Sequence, residues 1–323
     1  MESYVFRTHN GAFGYLQIES DQENCTLLLS WEKYNVYRKH NSKISKAQQQ
    51  LTSPHNDLSW IKSTDPTVRM INVLCWICEE NQCLPVVDAY KNLSPGKYHP
   101  RNIRDPAQIC GIISPPLLNE RELLNEVRSF SSIASGLIQI FDYIEPEASN
   151  LNSYSNKLRE LIFLACTEVE YLWLKFLQDN AYPSKNSYST IDYVKCLPHL
   201  KLNDYEAQLI HFPGLGNFKP FDGWNSQQPT KSLTWYNAYN SVKHNRGANM
   251  PMATLKSAIN SVAAIYILLK AQHGYSEFRS VIDMPNIDLF KMTSEPSWQI
   301  SDIAMPILAN SSTNWTSPIN ITF

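Results

Sequence analysis

Glycine is scarce in this chain, with ten in 323 residues, and no stretch is long and apolar enough to cross a bilayer. The most apolar segments, residues 161–177 and 259–269, either carry Glu168, Glu170 and Lys175 or are too short. There is no excess of either charge. A formal net charge of −2 removes any global basic field, so contact with nucleic acid would have to come from a local cluster. The N-terminus lacks a basic region followed by an apolar run, so neither a signal peptide nor an anchor is expected. Seven cysteines, an odd number without secretory context, fit reduced thiols in the cytoplasm. The chain has no internal repeat, no low-complexity tract, and no GxSxG, HExxH or clustered DxD signature. No metal, cofactor or membrane partner is expected. What is present is a globular composition, 43% hydrophobic and 18% charged, with eight tryptophans that favour packed helices.

Residues 1–35 alternate apolar and polar side chains around Gly11 and Gly14, which predicts a few short strands. Residues 33–53 are polar and read as a mobile loop or an exposed helix. From 66 to 84, Val68, Ile71, Leu74, Cys75 and Cys78 recur at helical spacing. Pro85, Pro95, Pro100, Pro106, Pro115 and Pro116 then mark a linker-like crossing. Asn119 can cap a helix that begins Glu120-Arg-Glu and continues through Ile144, and a second helix spans about 153–178. That second helix is apolar nearly all round and therefore central. Shorter elements near 190–196 and 203–210 lead to an irregular connection, HFPGLGNFKPFDGWNSQQPTKS (211–232). A further helix follows over 235–246, and a last one over 254–272. The expected architecture is mainly α: a helical bundle over 116–280, a small mixed α/β region over 1–115, and an irregular tail over 281–323 lying on the surface.

The richest chemistry is in WYNAYNSVKHNR (235–246), expected on one helix. At about 100° per residue, Tyr236, Asn237, Tyr239, Asn240, Lys243, His244 and Arg246 share one half of its surface. Arg159, Glu168 and Glu170 lie in the most apolar helix, where an unpaired charge is costly, so they need partners. Lys243, His244 and Arg246 are the partners expected for Glu170, and Glu168 is a second candidate, if the two helices pack side by side. Two readings follow. In one, the Lys-His-x-Arg cluster is a structural ion-pair network in a non-catalytic interaction or dimerisation protein. In the other, His244 serves as general acid or base, Lys243 and Arg246 grip phosphate, and Glu170 orients a cation. Asn240, Tyr236, Tyr239, Arg159, Glu168 and Trp235 would then line the substrate site. Lesser candidates read as structural: Cys75 and Cys78 with Cys83 and Cys110 as core thiols rather than a zinc site, and Phe218, Phe221, Trp224 and Trp235 as pins for the connection rather than a base platform.

The succession RELIFLACTEVEYLW, IDYVKCL, KPFDGW and LTWYNAYNSVKHNR, followed by an apolar helix, resembles a group of uncharacterised bacterial proteins that looks like a distant branch of the HEPN superfamily. The likeness covers residues 117–275. It implies a HEPN-like bundle, a homodimer or a partner protein of the same system, and RNA or a nucleotide as ligand. It further implies an effector or accessory role in antiviral defence or a toxin–antitoxin module, with metal-independent endoribonuclease chemistry where there is catalysis. HEPN ribonucleases place an arginine before the histidine; here Arg246 follows His244, so cleavage would require a rearranged site.

Overall fold

The computed structural model describes residues 1–31, 36–79, 85–104, 120–280, 285–308 and 313–323. They form two compact units, one chiefly of Met1–His99 and Trp298–Ile319, the other of Pro100–Ile103, Leu117–Ser297 and Asn320–Phe323.

The first unit is built on an antiparallel sheet of β1 (Glu2–Thr8), β2 (Phe13–Ile18), β3 (Asn24–Trp31), β4 (Val36–Lys43) and β5 (Val86–Lys91), in the order β4-β3-β2-β1-β5. Alternation in the sequence sorts side chains between its faces. Phe6, Leu16, Ile18, Leu27 and Leu29 pack with residues of α1 (Ile44–Thr52) and α2 (Pro66–Cys78), including Ile44, Ala47, Ile71 and Leu74. Val5, Tyr15 and Leu28 pack on the other face with Trp298, Ile303, Met305 and Leu308 of the tail. Because both faces are covered, β3 reads as an almost continuous apolar run. Gly14 pairs with Phe6 across the ladder, and a Cβ there would lie 2.3 Å from the Phe6 ring. Asp65 caps α2 by accepting from the Thr67 and Val68 amides. The buried Asn72 amide ties α2 to β5, donating to the Val86 carbonyl at 2.9 Å and accepting from the Val86 amide at 2.8 Å.

The short β6 (Lys97–Tyr98) precedes the second unit, which comprises α3 (Glu120–Phe141), α4 (Asn156–Asp179), α5 (Thr190–Tyr193), α6 (Cys196–Leu200), β7 (Glu206–Leu209), α7 (Thr234–His244), α8 (Arg246–Asn249), α9 (Leu255–Ser280) and β8 (Phe290–Ser294). Ser155 caps α4 by accepting from the Leu158 amide. Helix α4 packs against α9, α3 and α7, and β7 pairs antiparallel with β8. Helical geometry in α9 breaks at Gly274 (φ 77°, ψ 173°), a backbone conformation that strains any side chain, and a Cβ there would meet Ile103 at 3.2 Å. In the first unit, β9 (Ile307–Leu308) pairs with β10 (Thr313–Asn314), and β11 (Ser317–Pro318) runs parallel to β6.

These elements correct the expected fold class. Among the described residues 45% are helical and 18% lie in strands, so the protein is mixed α/β rather than a mainly α, HEPN-like bundle with a minor appendage. Two of the five sheet strands carry the difference. Residues 36–43, read as loop or helix, form β4, and residues 86–91, read as part of a proline-rich crossing, form β5. Both are edge strands, whose polar side chains stay solvated and leave little apolar periodicity to read. Asn119, Cys83 and Cys110 fall outside the described residues.

Candidate functional site

Helix α7 buries Trp235, Tyr236, Ala238, Tyr239 and Val242, an arc that brings both tyrosines to the interior instead of the polar half expected for them. The helix ends at His244. Asn245 leaves helical geometry (φ −145°, ψ 82°), so Arg246 opens α8 and does not continue the same face. Asparagines build this corner: Asn245 accepts from the Ala248 amide at 3.2 Å, and Asn249 donates to the Ser241 carbonyl at 2.9 Å. Lys243, His244 and Arg246 are all exposed. Among the described residues none of the three enters an ion pair, and His244 and Arg246 enter no side-chain hydrogen bond.

The acids of α4 do not neutralise these bases. Tyr236 donates to Glu170 Oε1 at 2.6 Å, where the expected partner was a cation. Burial, then the bond to Glu170, pushes the Tyr236 hydroxyl well above the ordinary tyrosine range. Lys243 instead donates to Tyr239 Oη at 3.2 Å and lies over that ring, 5.2 Å from its centroid. That hydrogen bond raises the Lys243 pKa, and Glu170 adds only a longer-range charge effect. Glu168 accepts from Ser129 Oγ at 2.7 Å and so faces α3; side chains two apart on a helix point about 200° from one another, which separates it from Glu170. Burial raises its pKa. Trp235 is buried and donates to the Pro220 carbonyl at 2.7 Å, while Trp173 stacks on Trp224 at 4.8 Å. Phe218, Phe221 and Trp224 are likewise buried, so these rings hold the connection in place and offer no platform to a ligand. Asn240 is half-buried beside the exposed histidine's turn.

Arg159 belongs to a feature that helical periodicity did not reveal. It lines a surface hollow of about 410 Å³ with Glu160, Phe163, Leu164 and Thr167. The Arg159 guanidinium is 5.9 Å from the Phe163 centroid, and Phe163 meets Tyr239 edge-on at 5.1 Å. Arg159, Phe163, Tyr239 and Lys243 therefore form a continuous cation and ring path from the hollow to the end of α7. No signal in the sequence marked it: the helix reads as apolar all round, and only the structure shows that Leu164 is 61% exposed.

The buried ion-pair network of this unit lies elsewhere. Arg101, with a left-handed backbone (φ 51°), binds Glu126 at 2.6 Å and Asp179 at 2.7 Å, and also donates to Gln272 at 2.8 Å. Its side chain is 6% exposed and that of Glu126 0%. His273 Nε2 is 2.8 Å from Glu126, and Lys175 binds Glu122 at 2.7 Å. Burial works against the Glu126 carboxylate more than any other influence. The hydrogen bonds and charges of His273 and Arg101 together outweigh it and hold its pKa down to about 2. Nothing local in the sequence around Arg101 announces this role, because every partner comes from a distant helix.

Among the described residues no group of three His, Cys, Asp or Glu is arranged to hold a metal ion, and no helix is long and apolar enough to cross a membrane. Cys75 and Cys78 sit in the core packing of α2. No family model, curated protein or solved structure matches the chain.

Proposed function

We propose that the second unit binds RNA or a nucleotide phosphate through Lys243, His244 and Arg246. One observation carries this reading. In a chain with net charge −2, three basic side chains within four residues are exposed at a helix end without an acidic partner among the described residues. The helix dipole favours Lys243 and His244 in the last turn of α7 but does not account for Arg246, which lies beyond it. Lysine and arginine suit a phosphate as point charge and bidentate donor, respectively. The role in antiviral defence or a toxin–antitoxin module rests on the sequence resemblance of residues 117–275, and a second copy of the chain would set two such clusters against one ligand.

Within this reading His244 is the candidate acid or base of RNA cleavage, with Lys243 or Arg246 stabilising charge on the phosphate. Glu170 accepts from Tyr236 and pairs with no cation of the cluster, so it is left out of this reading. The test compares wild type and His244→Ala for binding and cleavage of a labelled RNA. Cleavage by wild type and its loss in the variant supports an endoribonuclease. Equal cleavage, or none in either, removes the catalytic claim, and absence of RNA binding by wild type removes the reading as a whole.

A further inference from the structure

Helices α4 and α7 run antiparallel, and three contacts fix how they face each other. Trp235 lies beside Trp173 at 6.4 Å, Tyr236 donates to Glu170 at 2.6 Å, and Tyr239 meets Phe163 at 5.1 Å, so rising positions on α7 face falling positions on α4. One helical turn further in the same direction stand Lys243 on α7 and Arg159 on α4, each four residues from the last ring in contact. The ring contacts agree with this placement. Arg159 lies over Phe163 at 5.9 Å and Lys243 over Tyr239 at 5.2 Å, so two cations flank one edge-on pair of rings at the same end of the helix pair.

Two like charges set against each other repel unless an anion joins them. Among the described residues none does. Arg159 is half-buried and enters no ion pair or side-chain hydrogen bond, and Lys243 meets only the Tyr239 hydroxyl. The acids beside them are engaged elsewhere: Glu160 binds Lys157 at 2.9 Å, and Glu170 accepts from Tyr236. The helix dipole does not explain the arginine either, because Arg159 lies near the start of α4, the end at which a cation is disfavoured. A single unpaired surface cation is commonplace; a half-buried arginine set against a lysine is not. The rings attract each cation from its inner side and leave the outer side to a ligand. We infer that Arg159 and Lys243 grip a phosphate between them, the guanidinium as a fork and the ammonium as a point charge, so that the phosphate site spans α4 and α7. This placement rests on the phosphate-binding reading and adds to it a residue from a second helix, about 80 positions earlier in the chain.

The test uses the full chain and two probes that carry the same group, a short fluorescein-labelled single-stranded RNA and adenosine monophosphate. Arg159→Met keeps an aliphatic stem over Phe163 and removes the charge; Arg159→Lys keeps the charge and removes the fork. Melting curves check that both variants fold. Arg159→Met is expected to weaken binding of whichever probe the wild type holds by about tenfold, and to make the slope of log RNA affinity against log salt shallower by about 0.7. Arg159→Lys restores the slope and part of the affinity. Combining Arg159→Met with Lys243→Ala costs less than the two single losses together, because both cations serve one group. If Lys243→Ala weakens binding and Arg159→Met changes neither affinity nor slope, the shared site is overturned and the phosphate reading stands. Losses that simply add, or a fall in affinity without a change of slope, overturn it too, since the arginine then holds another group or only the fold. If the wild type binds neither probe, the phosphate reading itself fails and the shared site fails with it.

Discussion

Arg101, Glu126 and His273 draw on much the same chemistry as Lys243, His244 and Arg246, within the same unit, and their surroundings are opposite. The first set is sealed in the interior, and Arg101 meets Glu126, Asp179, Gln272 and His273 within hydrogen-bonding distance. The second is exposed, and among the described residues only the Lys243 side chain has a hydrogen-bond partner, an uncharged tyrosine hydroxyl. A buried charge must be paired, because an unpaired one costs several kcal/mol; a solvated charge at a helix end incurs no such penalty. Residue type alone therefore does not separate scaffold from site. Partners do.

The strongest challenge to this division is to remove the centre of the buried set. Arg101→Met keeps most of the side-chain volume but strands the Glu126 carboxylate, and is expected to cost about 3–5 kcal/mol, read as a fall of roughly 10 °C in melting temperature. Alanine at Lys243, His244 or Arg246 is expected to change stability by no more than about 0.5 kcal/mol. The opposite pattern in thermal unfolding would exchange the two roles.

Acid titration sharpens the same contrast. Glu126 has a folded pKa of about 2 against an ordinary value of 4.5, so it binds its proton less readily in the folded state than in the unfolded one. Its contribution to stability is then complete above pH 4.5 and is lost as pH falls from there toward 2, in all about 3 kcal/mol. Glu168 and Glu295, raised by burial, act with the opposite sign and favour folding at low pH. Denaturant midpoints measured from pH 5 to pH 2 should fall more steeply for wild type than for Glu126→Gln. Parallel profiles would show that Glu126 is not the group being titrated.

Much of the helical frame was legible in the sequence. The helix expected over 153–178 is α4, capped by Ser155, and Leu255, Ile259, Val262, Ile265 and Leu269 do form the buried stripe of α9. The edge strands β4 and β5 were not legible, because a strand with one neighbour needs little apolar patterning. The end of α7 was only weakly marked: Asn245 leaves helical geometry, and the glycine that could signal the stop, Gly247, comes two residues later. Glu170 was correctly placed opposite α7, but which of that helix's polar side chains would meet it depended on the rotation of the helix, and the buried arc of Trp235, Tyr239 and Val242 turned Tyr236 toward it. The Arg101 network had no local signature, since its partners lie 21 to 172 positions away along the chain.

The central claim, that the exposed cations where α7 gives way to α8 hold phosphate, is tested most directly by the salt dependence of single-stranded RNA binding. For Lys243→Ala combined with Arg246→Ala, the slope of log affinity against log salt should become shallower by about 0.7 for each cation removed, with weaker binding at low salt. A slope and affinity indistinguishable from wild type would contradict the account.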